Sequence, residues 1–315
     1  MRGFCILLVA GWIVAVLTCS AFSVDYYVNC VDGSDENSGL SWHEAWATYG
    51  HACEMVSGWP HDPGIIHFAP GEYRDSYASW YLPMWVWLQG SGPGQTTLVE
   101  GQIISYHCKT TIRDLTLIGR VWLHSGLTPG RPEETEVVID NCVLNQLVCD
   151  SPVTNADCLS QVKLFVSNCH FNVNTDSAES RQGDSHIDLT TRSGGVCIDA
   201  TIRDCTFSVC DLYWEYTSQY LDDWGLGWSY PISLEAGYGQ VPKGGEDRLF
   251  VVGCVFTPTG VCSTHCPFKI RSCADWGTDV SVMNCLLPFS GIEWTQEAAF
   301  HLGAVSYTHL RAHET

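Results

Sequence analysis

The chain has 315 residues, 35 acidic against 15 basic side chains, a formal charge of −20, 17 cysteines and 45% apolar residues. That charge excludes nucleic acid as a partner, because binding there depends on Lys and Arg neutralising phosphates. It weighs less heavily against anionic polysaccharides, which local basic residues or a bound cation can admit.

Residues 1–23 read as a secretion signal: Arg2, an apolar stretch from Phe4 to Leu17, then small Ala21 and Ser23 before a cleavage point at Val24. The stretch is short for a transmembrane helix. The predicted location is therefore secreted, extracellular or at the cell surface, with no membrane span once the signal is removed. Removal takes Cys5 and Cys19 from the 17 cysteines and leaves 15, in a compartment that permits disulfides. Asp32, Asp35 and Glu36 are acidic enough to suggest calcium, but Gly33 and Gly39 favour a turn leading into a helix. No motif indicates a cofactor. The stretch from His43 to Val56 fits an amphipathic helix that would cover the open end of whatever sheet follows.

From residue 111 onward one short pattern recurs. A β-branched run ends in a polar residue, a Cys and, two positions later, an apolar residue, at Cys142, Cys169, Cys205, Cys254 and Cys285, with Leu115 in the equivalent place in a first copy. The apolar residues alternate with a period of two, and no copy shows a helical period. The spacings of 27, 27, 36, 49 and 31 residues between these positions describe a coil of about 27 residues that accepts insertions. The fold class is thus all-β, a right-handed parallel β-helix with an N-terminal helical cap, over residues 24–303 as one domain. The repeat cysteines are expected to form an interior ladder, Cys being a small hydrophobe that tolerates burial. The other cysteines, such as Cys30 with Cys53, Cys149 with Cys158, and two among Cys262, Cys266 and Cys273, are the disulfide candidates.

A second set of strands precedes the Cys strands: Val121/Leu123, Ile187/Leu189, Ile232/Leu234 and Phe268/Ile270 align as inward residues. The alternate positions then form exterior columns, Asp188 with Ser233 and Lys269, and Thr190 with Glu235 and Arg271, with Trp122 and His124 lower down. Asp188, Glu235, Lys269 and Arg271 are the candidate catalytic residues. Lys269 as base and Arg271 as charge stabiliser suit a polysaccharide lyase, and Asp188 with Glu235 suits a glycoside hydrolase. Opposite charges on neighbouring rungs are also what an ordinary sheet surface carries. Asp184, His186 and Asp188 alternate along one strand and raise the thought of a metal.

The insertions fall at one corner, over residues 172–185, 208–230 and 257–266, and would overhang these columns. The middle one carries Trp214, Tyr216, Tyr220, Trp224 and Trp228 among several acids, a composition suited to stacking on sugar rings. The predicted partner is a polysaccharide or another glycan. The alternative is a non-enzymatic surface or matrix protein, adhesin-like, with the solenoid as a spacer. No phosphate loop, nucleophile elbow or Ser-His-Asp motif occurs. Residues 304–315 break the pattern, resemble a translated sequencing-adapter tail and are expected to be non-native, with the natural chain continuing past about Gly303.

Between residues 26 and 74 the chain carries Tyr26-Tyr27-Val28, Gly33-Ser34-Asp35, Asn37, Gly39, Ser41-Trp42, Ala47-Thr48 and Ile65 to Arg74 with Pro70-Gly71-Glu72-Tyr73, followed by Leu88 to Leu98. This stretch resembles the start of secreted parallel β-helix proteins of the pectin-lyase-like superfamily. The resemblance implies the same fold over residues 26–303. It leaves function open, since that superfamily includes lyases, hydrolases, epimerases and proteins without chemistry.

Overall fold

The computed structural model describes residues 23–58, 63–74, 79–83, 85–106, 109–124, 134–150, 160–172, 186–190, 196–209, 231–236, 246–258, 268–272, 277–286 and 293–294. The predicted signal up to residue 22 and the predicted tail lie outside them. The chain opens with β1 (Val24–Val28) and a helix α1 (Tyr49–Met55), and then coils. The coils are β2 (Gly64–Phe68), β3 (Gly71–Arg74) and β4 (Ser79–Leu82); β5 (Val86–Gln89) and β6 (Thr96–Tyr106); and β7 (Lys109–Arg113) and β8 (Thr116–His124). Next come β9 (Glu134–Asp140) and β10 (Val143–Asp150), then β11 (Ser160–Ser167), β12 (His170–Phe171) and β13 (Ile187–Thr190). Further coils are β14 (Val196–Arg203), β15 (Thr206–Val209) and β16 (Ile232–Ala236), then β17 (Glu246–Val252), β18 (Val255–Pro258) and β19 (Phe268–Ser272), and finally β20 (Gly277–Met283) and β21 (Glu293–Trp294).

Strands β1, β2, β5, β7, β9, β11, β14, β17 and β20 bond side by side into one sheet, and the others form a second. Every strand pairing among the described residues is parallel. Each coil returns to lie beside its predecessor, a connection that is right-handed in about 98% of cases, so the fold is the expected parallel β-helix. One apolar cluster runs the length of the solenoid, from Val28 at the start to Cys285 near the far end.

From β7 onward the first sheet ends in a bend made by a single residue. Asp114, Asn141, Asn168, Asp204, Gly253 and Asn284 all adopt φ between 50° and 67°, the left-handed region that Asn, Asp and Gly enter at least cost. They stand one above another at the end of the first sheet. At Gly253 a Cβ would meet the Asp204 carboxylate one rung below, which would have to turn aside to admit it. The bend residue's N–H bonds forward to the next coil (Asn141 N to Ser167 O, 3.0 Å), and the N–H two residues on bonds back (Val143 N to Leu115 O, 3.0 Å). Side chains reinforce the stack: Asn141 Nδ2 donates to Asp114 Oδ1 at 2.6 Å, and Asn168 Nδ2 to Asp140 Oδ1 at 2.9 Å.

The residue after each bend is the predicted interior column. Leu115, Cys142, Cys169, Cys205, Cys254 and Cys285 are all buried, none more than 3% exposed. Each thiol also lies against the carbonyl two residues before it, Cys169 Sγ at 3.1 Å from Ser167 O and Cys205 Sγ at 3.2 Å from Arg203 O. Hydrogen bonds among neighbouring thiols and burial push Cys169 above the ordinary thiol range. Two residues further on, Phe171, Phe207 and Phe256 stack with centroids 4.8 Å apart and planes within 8°, the spacing of one rung.

The cap departs from the predicted helix. Instead of one helix from His43 to Val56, a short 3-10 turn at Trp42–Glu44 is followed by α1. Between them Trp46 pairs with Val28 as an extended residue, and its ring Nε1 donates to Asn37 O at 2.9 Å. The Asp35 carboxylate holds this break: Oδ1 accepts from the N–H groups of Ala47 and Thr48 at 2.9 Å each, and Oδ2 from the Thr48 hydroxyl at 2.8 Å. Trp46, Tyr49, Ala52 and Val56 are buried against the first coils, as a cap requires. The predicted bridge between Cys30 and Cys53 is absent. Their sulfurs turn to different neighbours, Cys30 to Gly71 and Tyr73 and Cys53 to Tyr49. Cys149 takes an interior place between Leu123 and Leu189. Cys158, Cys262, Cys266 and Cys273 lie outside the described residues.

Replacing Cys205 by Gln should cost about 3 kcal/mol or more in chemical denaturation, because a larger polar group would enter a packed and dry column. Burial alone would raise the Asp35 carboxyl, but the Thr48 and Ala47 hydrogen bonds and nearby His51 outweigh it and hold the group below its ordinary value. Its contribution is present above the unfolded value of about 3.9 and is lost as pH falls through the lowered folded value. Asp35→Asn should therefore lower the melting temperature at pH 7, and the gap to the native chain should close in acid scans below that range.

Candidate functional site

The second sheet turns a corner midway through each coil, and the corner explains where the chain carries its extra length. In β6 and β8, and again in β8 and β10, the strands run straight through it with a register shift between Val99 and Gln102 and between Leu144 and Gln146. In the three later coils the chain leaves at this same point. It departs after β12, β15 and β18 and returns at β13, β16 and β19. Insertions thus sit where the ladder is already broken.

On the returning strands the inward residues are as predicted: Val121, Leu123, Ile187, Leu189, Ile232, Leu234 and Phe268 are at most 2% exposed. The register fixes the alternate positions. One column runs Trp122, Val148, Asp188, Ser233, Lys269 and Glu293, and the next runs His124, Asp150, Thr190, Glu235 and Arg271. Asp188 and Lys269 are two rungs apart, and Glu235 and Arg271 are adjacent. Two carboxylates that the sequence reading passed over join them, Asp150 on the rung below Thr190 and Glu293 on the rung beyond Lys269. Asp188 is half-buried, and its Oδ1 accepts from the Thr190 hydroxyl at 2.7 Å. Thr190, expected to face water, is 2% exposed, its hydroxyl turned onto that carboxylate. Lower on the face, Arg120 lies over the half-buried Trp122 ring, 5.7 Å from its centroid, and donates to Gln146 Oε1 at 2.6 Å. Trp214, Tyr216, Tyr220, Trp224 and Trp228 lie outside the described residues.

His186 binds two main-chain carbonyls where its pattern suggested a metal, and Asp184, the first residue of that pattern, lies outside the described residues. His186 is the residue on which the chain re-enters after the first insertion, and its ring spans the gap the insertion leaves. Nδ1 lies 3.0 Å from Asn145 O in the coil below, and Nε2 2.8 Å from Ser208 O in the coil above. Both nitrogens are committed to main-chain carbonyls. A neutral ring donates to one, and only a protonated ring donates to both. Burial and nearby His170 push the imidazole down, against the two carbonyls, which favour its protonated form. Among the described residues, no group of three or more His, Cys, Asp or Glu side chains is placed to hold a metal ion.

Comparison of the chain with protein-family models, curated proteins and solved structures finds no match. The fold and the face together define a parallel β-helix protein whose register lines up charged residues in two columns beside a corner where the chain makes its insertions. Among the described residues no helix is long and apolar enough to cross a membrane.

His186→Leu should cost about 1–3 kcal/mol in urea unfolding, because it removes the ring N–H that one of the Asn145 and Ser208 carbonyls accepts and leaves that carbonyl buried without a donor. It should also speed proteolysis between residues 173 and 185. Addition of EDTA should leave the native melting temperature unchanged; a fall would restore the metal reading of this histidine.

Proposed function

We propose that the chain is a secreted β-helix protein that recognises or processes a polysaccharide, of the kind found in the pectin-lyase-like superfamily that residues 26–74 resemble. The observation that carries this reading is the register that places Asp188, Glu235, Lys269 and Arg271 on two adjoining columns, at the corner from which all three insertions depart. An extended polymer lying along the solenoid axis meets Asp188, then Glu235, then Lys269 with Arg271, on successive rungs about 4.8 Å apart.

Two chemistries fit this layout. In a lyase, Lys269 removes the proton beside a uronate carboxyl and Arg271 holds the charge that develops there. In a hydrolase, Asp188 and Glu235 flank the bond. Their backbones are one rung and two residues apart, about 8 Å, compatible with the roughly 6.5–9.5 Å between carboxyls that admits a water molecule. The aromatic residues of the 208–230 insertion supply the stacking surface in either case. A second reading, a non-enzymatic surface protein, draws support from the register that sets each cation's position beside a carboxylate's on the next rung, Arg271 beside Glu235 and Lys269 beside Glu293, the sequence pattern of an ordinary exterior ladder.

Incubation with uronate-containing and neutral polysaccharides separates these possibilities. A lyase releases unsaturated sugars that absorb in the ultraviolet; a hydrolase releases reducing ends without that absorbance. Glu235→Ala or Lys269→Ala should abolish turnover with circular dichroism unchanged, and Trp224→Ala or Trp228→Ala should weaken binding. Full activity in the Glu235→Ala, Lys269→Ala double variant would overturn the assignment of this face.

A further inference from the structure

The outer face of the first sheet has an order of its own. Between β7 and β20 the register stacks Lys109, Glu136, Lys163, Asp199, Arg248 and Asp279 into one exterior column. The charges read plus, minus, plus, minus, plus, minus. All six are half-buried or exposed, and Lys109 Nζ stands 3.4 Å from Glu136 Oε2. The adjoining exterior column is Thr111, Val138, Phe165, Thr201, Phe250 and Ser281, in which Phe165 is 41% exposed. No register shift interrupts these six strands, unlike the second sheet.

Within the chain this alternation puts opposite charges on neighbouring rungs. A column of six alternating charges is also complementary to itself read backwards. Rotation by 180° about an axis parallel to the strands, between β11 and β14, reverses the rungs, keeps the strand direction and brings the face onto its own copy. Lys109 then meets Asp279 of the second copy, Glu136 meets Arg248, and Lys163 meets Asp199. The same rotation sets Val138 against Phe250 and Phe165 against Thr201. The third exterior column sets Arg113, Asp140 and Arg203 against Met283, Val252 and Ser167. No like charges meet along these three columns; one step nearer the strand starts, at the edge of the face, the same rotation brings the Glu134 rung opposite the Glu246 rung.

We infer that this face is an isologous interface through which the chain pairs with a second copy of itself. Six strands at about 4.8 Å and roughly six residues at about 3.3 Å span near 30 by 20 Å. The pair therefore buries about 1,200 Å² in total, the lower end of specific interfaces. An interface of this size suits weak, reversible pairing. Each copy carries −20, a repulsion that physiological salt screens beyond about 8 Å while apposed pairs inside the interface are screened less. The inference does not depend on the proposed function, because this face and the insertion corner belong to different sheets.

Sedimentation velocity of the full chain tests it at physiological salt, from about 1 to about 100 μM, a range suited to weak pairing. A monomer–dimer equilibrium is expected, and Phe165→Glu should abolish it with the melting temperature unchanged. Lys163→Asp sets two carboxylates against each other at two places in the dimer and should weaken pairing about tenfold or more. Combining it with Asp199→Lys restores every cross-copy pair, although it breaks the alternation within each chain, and should recover most of the affinity. A native chain that stays monomeric across the range overturns the inference. So does a folded double variant no better than Lys163→Asp alone.

Discussion

Parallel hydrogen bonding at a fixed rung height is the constraint on which the rest of this molecule depends. Once each coil is bonded to the one below, every residue is stacked on its counterpart, and the only freedom left is which residue type to stack. Phe171, Phe207 and Phe256 sit 4.8 Å apart because the backbone holds them there, and the thiols from Cys142 to Cys285 follow the same rule. What would be isolated choices in a globular core become columns. A substitution in one coil is therefore felt by the coils on either side.

The single-residue bend is what lets this ladder turn without a gap in its bonding. A left-handed residue reverses the direction in which successive N–H groups point, so Asn141 bonds upward while Val143 bonds downward. The choice of Asn and Asp adds a second ladder, of side chains, outside the first. Cys after the bend suits the same place from within: it is small enough for the inner angle, and its weak donor reaches the carbonyl two residues back.

The repeat and its inward columns were legible because burial imposes one apolar type at each rung. The alignment of Ile187, Ile232 and Phe268 was enough to place Glu235 beside Arg271 and Asp188 two rungs from Lys269. The bend was visible too, as the Asn, Asp or Gly before each Leu or Cys, but periodicity carries no sign of φ. Cap details were harder. Trp46 reads as helical until its pairing with Val28 is known, and Cys30 and Cys53 read as partners until the direction of each sulfur is seen. His186 alternates with acids as a ligand would, yet only the neighbouring coils reveal the two carbonyls awaiting it. The charge column from Lys109 to Asp279 is spread over 171 positions of sequence, and it becomes a pattern only once the register is fixed.

The break in β10 between Leu144 and Gln146 has a use beyond this chain's own insertions. It lies at the same corner where β12 and β13 are parted by a long excursion, and neither the buried Leu144 nor the buried Leu147 need move for the chain to leave between them. A foreign peptide spliced just after Asn145 must keep that residue's contacts with Gly119, Asn172 and His186; beyond that it meets the entropy of closing its own loop, which grows by only about 0.6 kcal/mol for each doubling of length. The solenoid thus offers a display scaffold, with a graft site one rung below the first of the loops it already carries.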